Sequence, residues 1–208
     1  VKNSLRNGKS PFLPNEQGVI DLKGTYNMRT NELNHGLCQI MLKERQAELK
    51  APTGAFVTFD TIRNAQENGI ECAVIKGQHG FDIQVQNPDK KEDIRTMKWF
   101  NISQITNPEK LKSYLDEQMS LKTQETNAYN KEHNPTFKDK KNPAEKVMDR
   151  PNDKVMKINF KTPEQYFGQV LAAMSTGTKL IVSKEQAELF KKQTIDALEK
   201  EHSEGKVD

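Results

Sequence analysis

Apolar residues recur along the chain at intervals that predict both helices and strands. Between 31 and 49 the apolar positions include Leu33, Leu37, Cys38, Ile40 and Met41. This three-to-four spacing predicts an amphipathic helix. Phe81, Ile83 and Val85 alternate with polar residues, which predicts a half-buried strand at 80–86. Other strands are expected at 55–59, 72–76 and 94–102, and a helix capped by Thr58 is expected before Gly69.

The second half of the chain changes character twice. Pro108 opens a predicted helix over 108–122. Residues 123–154 are rich in Lys, Asn, Glu and Pro and nearly free of aliphatic side chains, which predicts a linker or an extended arm. After a short strand near 155–160, the capping boxes TPEQ (162–165) and SKEQ (183–186) predict the starts of two helices.

These elements predict an α+β fold, because two or three antiparallel strands follow N-terminal helices. We expect N-terminal helices with a small antiparallel sheet, then a long polar linker and a small, mostly helical C-terminal segment. The expected domain covers residues 1–107. It is followed by a helix at 108–122, the polar linker at 123–154 and a small α/β or helical appendage at 155–208.

The composition limits the classes of protein that fit. Of 208 residues, 34% are hydrophobic and 29% charged, which suits a compact domain with long solvated segments better than one large core. No stretch approaches the ~20 apolar residues of a membrane span, and no signal peptide is visible, so we expect a bacterial cytoplasmic protein without a membrane partner. The chain starts at Val1, as a piece of a longer protein would. A net charge of +3 does not by itself indicate nucleic-acid binding.

Motifs for catalysis are missing from the sequence. The four histidines are His35, His79, His133 and His202. None has a second histidine four residues away, so the His-Glu-x-x-His pattern of zinc peptidases is absent. Phosphate-binding and nucleophile-elbow glycine motifs are also absent. Cys38 and Cys72 are expected to be reduced thiols. We therefore expect no catalytic residue, no metal ligand and no cofactor.

Five short motifs occur in order within residues 1–107. They are SLRNGKSPFLP, GTYNMRTN, FVTFDTI, VIKGQHG and FNISQ. Their order resembles the ArdC-type single-stranded DNA-binding domain of plasmid antirestriction proteins and TraC-type conjugative primases. The second motif keeps Gly24 and Asn31 but has Tyr26 one place early and lacks the middle glycine. Phe56 replaces a tryptophan, and His79 stands where a lysine is usual.

The resemblance implies a non-catalytic module that binds single-stranded DNA. The implied DNA-binding residues are Tyr26, Arg29, Asn31, Thr58, Arg63, Lys76, Gly77, His79, Lys98, Trp99, Asn101 and Gln104. Basic side chains among them would contact phosphates. Unpaired bases would stack on Tyr26, Phe56, Phe59 or Trp99. Trp99 and Phe100 point to opposite faces of a strand, so a buried Phe100 would place Trp99 on the outer face.

Other interpretations of the same residues remain open. Gly77 and Gly80 also suit an ordinary hairpin turn, and the aromatic residues also suit a core. A divergent or truncated enzyme, either a zinc peptidase or a primase, is the main alternative function. A protein–protein adaptor that binds its partner through residues 155–208 is another.

Overall fold

The structure, a computed structural model, describes residues 2–87, 90–148 and 153–203. Within these residues there are six α-helices and eight β-strands. The helices are α1 (Lys2–Arg6), α2 (Gly36–Glu48), α3 (Phe59–Glu67), α4 (Pro108–His133), α5 (Pro163–Thr176) and α6 (Lys184–Ser203). The strands are β1 (Val19–Ile20), β2 (Tyr26–Asn27), β3 (Glu32–Leu33), β4 (Ala55–Thr58), β5 (Phe81–Asn87), β6 (Lys90–Asn101), β7 (Lys154–Lys157) and β8 (Thr178–Ile181). The predicted α+β class is confirmed.

The chain folds into two compact units built from non-consecutive segments. The first unit combines Val1–Gly24, His35–Lys50 and Asp149–Asp208. The second combines Thr25–Asn34 and Ala51–Met148. The predicted domain boundary at residue 107 therefore falls inside the second unit. Residues near the N-terminus share the first unit with the C-terminal segment because their apolar side chains enter one core.

That first core is assembled around the central strand β8, which pairs antiparallel with β1 and parallel with β7. Its largest buried side chains come from both ends of the chain: Leu5, Phe12, Ile20, Phe160, Tyr166, Val170, Leu180 and Phe190. The helices predicted from the two capping boxes are present. Thr162 caps α5, which ends at Gly177 with a φ of 68°, and Ser183 accepts a hydrogen bond from the Gln186 amide at 3.2 Å before α6.

Helix α2 begins later than its apolar spacing predicts and buries a different face. Asn31 lies in the β2–β3 turn with a φ of 50°, and Glu32–Leu33 form β3, so the helix starts at Gly36 rather than near residue 31. Leu37 is 69% exposed, whereas Glu44 is buried. Glu44 accepts hydrogen bonds from the hydroxyls of Ser4 and Ser10, at 3.0 and 2.8 Å. These long-range partners make burial of a carboxylate tolerable.

The second unit contains a five-stranded sheet in the order β3-β2-β4-β6-β5. All four residues of β4 are buried, as expected for a central strand covered on both faces. The strands predicted at 55–59, 80–86 and 94–102 are present as β4, β5 and β6. The strand predicted at 72–76 is not, because this segment makes only an isolated bridge between Val74 and Ile105. Residues 88 and 89, between β5 and β6, lie outside the described residues.

Helix α4 extends eleven residues beyond its predicted end, to His133. Three side chains in its first half are buried, namely Leu111, Leu115 and Met119. The second half has no apolar stripe, but it also has no proline or glycine and contains several good helix-forming residues. Its polar composition therefore argued against a core and not against a helix. In the polar segment expected at 123–154, α4 continues to His133 and Pro143–Glu145 form a 3-10 helix, while residues 149–152 lie outside the described part.

In the part of the chain that the structure describes, no helix has both the length and the apolar character needed to cross a bilayer.

Candidate functional site

The glycine loop at residues 75–80 lies between the Val74 bridge and strand β5. The Ile75 amide donates to the Gln104 carbonyl at 2.9 Å, and the Gln78 amide donates to the Ile75 carbonyl at 3.0 Å. Gly77 has a φ of +85°, a conformation that side chains with a Cβ rarely adopt. Lys76 and His79 are exposed. The loop is thus a defined turn that presents two polar side chains to solvent.

Gln104 fixes this loop from beneath. It is 2% exposed, and its amide nitrogen donates to the His79 carbonyl and the Gln78 side chain, each at 3.1 Å. Its Oε1 accepts from the Asn101 amide at 2.9 Å. Asn101 in turn accepts from Ser103 and donates to the Thr53 carbonyl. The FNISQ motif is therefore a buried hydrogen-bond network that holds the turn in place.

Gly80 is required for a different reason, namely close approach to strand β6. A Cβ at this position would lie 2.7 Å from the Phe100 ring and 2.5 Å from the Lys98 side chain. Because Phe100 is buried, its ring has little room to retreat. Gly77 is thus needed for the backbone conformation of the turn, and Gly80 is needed for close packing against β6.

The cations expected to contact phosphates differ in their surroundings. Lys98 forms an ion pair with Asp82 at 3.0 Å. Arg63 lies 3.4 Å from Asp60 and 3.8 Å from Glu67. Lys76 and Arg29 are exposed and make no side-chain ion pair within the described residues. An anionic ligand would therefore meet less local competition at Lys76 and Arg29 than at Lys98 and Arg63.

Several other predicted contacts have structural roles in this conformation. Trp99 is 5% exposed, so the prediction that it lies on an outer face is wrong. Its strand is covered on both faces at this point, since the adjacent Phe100 is also buried. Thr58 is buried and caps α3, and Phe56 is buried in β4. Tyr26 is half-buried.

A groove of about 860 Å³ lies elsewhere in the second unit, beside α4. This volume is within the ~300–1,000 Å³ range of ligand-binding pockets. Four basic side chains line it: Arg29, Lys122, Lys140 and Lys141. Glu32 and Glu125 also line it, so cations outnumber carboxylates two to one. Leu115 and Met119 contribute apolar surface.

One side of the groove is formed by a strap, which we define as residues 134–148. The Lys140 backbone makes reciprocal hydrogen bonds with the Asn127 side chain, both 3.0 Å long. Lys131 and Asp139 form an ion pair at 2.8 Å. The Asn31 side-chain nitrogen donates to the carbonyls of Pro143 and Lys146, at 2.6 and 2.9 Å. The strap is therefore held at two separate places, although its composition predicts an extended linker.

Asn31 is therefore expected to limit how readily a protease reaches the backbone of the strap. Replacing Asn31 with aspartate keeps a residue that tolerates positive φ but removes both donated hydrogen bonds. Each such bond contributes about 1 kcal/mol, so the loss of both should increase opening of the strap about 30-fold. Trypsin should then cleave faster after Lys140, Lys141 and Lys146, as measured by mass spectrometry over time.

The control for this experiment is Thr30→Ala, which alters the neighbouring residue and leaves the Asn31 bonds in place. Its cleavage pattern should match that of the wild type. Equal cleavage rates in Asn31→Asp and wild type would mean that Asn31 does not hold the strap.

Arg29 is among the DNA-binding residues that the sequence resemblance implies, whereas the other three basic residues of the groove, Lys122, Lys140 and Lys141, are not. The signal for two of them was present, since KDKKNPAEK (138–146) contains four lysines and two acidic residues. A stretch with this composition is typical of a solvated linker. Only the hydrogen bonds from Asn127 and Asn31, both distant in sequence, bring these lysines to a groove.

Neither a reactive thiol nor a metal-binding cluster is indicated at the glycine loop or at the groove. Burial raises the pKa of the Cys72 thiol, and burial raises the pKa of Cys38 to about 11, so both thiols are protonated and poor nucleophiles at neutral pH. Among residues 2–87, 90–148 and 153–203, no three His, Cys, Asp or Glu side chains are grouped to hold a metal ion.

Comparison with known proteins finds no matching family model and no matching curated protein. Among solved structures, the chain is similar to a metal-free crystal structure of the antirestriction protein ArdC from the R388 plasmid, with 20% sequence identity. The match covers 51% of this chain and 38% of that chain, with a TM-score of 0.33. The chain thus spans less than half of the ArdC chain, and a similarity at this TM-score carries no argument about function.

Proposed function

We propose that the second unit binds single-stranded DNA in a plasmid or conjugative context. The observation that carries the proposal is the groove lined by Arg29, Lys122, Lys140 and Lys141. Clustered cations attract a phosphodiester backbone, and their contacts release counterions from it. The apolar side chains in the groove include Leu115, Met119 and the exposed Leu121, and they suit the faces of unpaired bases.

Two further features favour single-stranded DNA among anionic polymers. The motif order in residues 1–107 resembles an ArdC-type single-stranded DNA-binding domain. A concave site also accepts bases that are free to leave a stack, whereas a duplex keeps its bases paired inside. The loop at 75–80 is a second proposed contact, in which Lys76 meets a phosphate and His79 a phosphate or a base.

The proposal is tested by fluorescence anisotropy with a labelled single strand, its duplex and an RNA of the same sequence across a salt series. The single DNA strand should bind most tightly. The double variant Lys140→Ala/Lys141→Ala should weaken binding and reduce the salt slope by about 1.4, since each phosphate contact to a single strand contributes about 0.7.

A matched control is available in the first unit. Lys191 and Lys192 are also adjacent lysines, and they lie on α6, so Lys191→Ala/Lys192→Ala changes the net charge equally without touching the groove. This variant should bind like the wild type. If both double variants lost affinity to the same extent, the effect would come from net charge and the groove would not be the binding site.

A protein partner at the C-terminal segment is a second candidate, favoured by strand β7. This strand is at an edge of its sheet, and Val155 and Met156 on it are exposed. An exposed edge strand with apolar side chains can accept an additional strand from a partner.

A further inference from the structure

A stacked pair of aromatic rings lies on the part of α4 that extends beyond the core. The rings of Tyr129 and His133 are 4.1 Å apart between centroids and inclined by 26°. The His133 Nδ1 and the Tyr129 carbonyl oxygen are hydrogen-bonded at 2.8 Å. The pair therefore has a preferred arrangement before any ligand arrives, which lowers the entropy lost on binding.

The Tyr129 side chain is not packed in a hydrophobic core. It is 62% exposed, and its ring contact is with His133, which is also exposed. Phe59, another exposed aromatic residue, is less exposed at 45% and packs against the buried Phe100. A large, ordered and solvated ring is costly to expose, and a base-binding role accounts for it.

The position of Tyr129 relates it to the groove. Residues three or four apart lie on the same face of a helix, so Tyr129 follows Glu125 and Thr126, and His133 follows Tyr129. Glu125 and Thr126 line the groove together with Lys122. The tyrosine therefore lies about one helical turn, or ~5 Å, beyond the groove lining along α4.

We propose that Tyr129, supported by His133, is the base-stacking platform of a single-stranded DNA path that leaves the groove along α4. This inference rests on the proposed DNA-binding function and adds the residue that selects unpaired bases. Lys122 and Lys140 attract the phosphate backbone of the DNA beside this path. Glu125, which faces the same stripe, opposes a phosphate there and so favours a base over a phosphate next to Tyr129.

The test compares Tyr129→Leu with Tyr129→Trp by anisotropy. The probes are a labelled single strand of about 16 nucleotides, the upper end of single-strand site sizes, and an abasic strand of equal length. Stacking contributes ~1–3 kcal/mol per base, so Tyr129→Leu should weaken binding to the normal strand about ten-fold, while Tyr129→Trp retains it. The salt slope should not change, because no phosphate contact is lost. The abasic strand should bind wild type and Tyr129→Leu equally.

The outcomes separate this inference from the function on which it rests. If the wild type binds no single strand, both are overturned. If Lys140→Ala/Lys141→Ala weakens binding but Tyr129→Leu does not, the function stands and the stacking role is overturned. If an RNA strand bound more tightly than the DNA strand, RNA would replace single-stranded DNA as the proposed ligand. Because Tyr129 is exposed, all variants should keep the wild-type thermal unfolding midpoint.

Discussion

Replacing Tyr166 with alanine is expected to lower the free energy of unfolding by about 3–5 kcal/mol, the range for truncating a buried aromatic residue. Tyr166 is fully buried in the core of the first unit. Its ring is stacked on Phe190 at 3.7 Å and meets Phe160 edge-on at 4.9 Å. Its removal leaves a void among aromatic rings from three different segments. Urea denaturation followed by circular dichroism measures the change.

The conservative variant Tyr166→Phe separates packing from hydrogen bonding. The Tyr166 hydroxyl donates to the Phe12 carbonyl at 2.6 Å, and burial raises its pKa. Phenylalanine keeps the ring contacts and leaves only this carbonyl unsatisfied, so the expected loss is about 1–3 kcal/mol. If both variants lost the same free energy, the ring stacking would contribute nothing to stability.

Replacing Gln104 with leucine is expected to lower the free energy of unfolding by about 3 kcal/mol, because it leaves the buried Asn101 amide without its acceptor. The substitution also removes the hydrogen bond that Gln104 donates to the His79 carbonyl. The same change frees the loop at 75–80, so amide exchange of Gln78 should become faster. If the loop contacts DNA, affinity for a single strand should also fall, because Lys76 would no longer be held in position.

Ser103→Ala provides the control for this prediction. Ser103 is exposed in the short 3-10 helix Ile102–Gln104, and its backbone amide enters the network. Its replacement should leave both stability and loop exchange at wild-type values. An unchanged exchange rate at Gln78 in Gln104→Leu would contradict the role of Gln104 in holding the loop.

The candidate site divides into residues that the sequence could identify and residues that it could not. VIKGQHG stood out because Gly77 and Gly80 flank a polar turn. The FNISQ motif also stood out, but its Gln104 is buried beneath the loop and is not available to a ligand in this conformation. A sequence motif shows that a position is constrained, but the constrained residue can either contact a ligand or support the fold. Hydrogen-bond partners decide which of the two applies.

The sequence alone determined the local elements. Apolar periodicity, proline and capping residues predicted the α+β class, the cap of α3 at Thr58 and the start of α5 at the TPEQ capping box. These features depend on interactions within a few residues, so a short stretch of sequence contains them.

Only the tertiary structure decided which segments share a core and which polar residues come together. Phe12 and Phe190 are buried in one cluster although 178 positions separate them along the chain. Lys140 reaches the groove through Asn127, and the end of its strap is fixed by Asn31. Such contacts depend on the free energy of the whole folded chain, in which burial and hydrogen bonds between distant residues outweigh local preference.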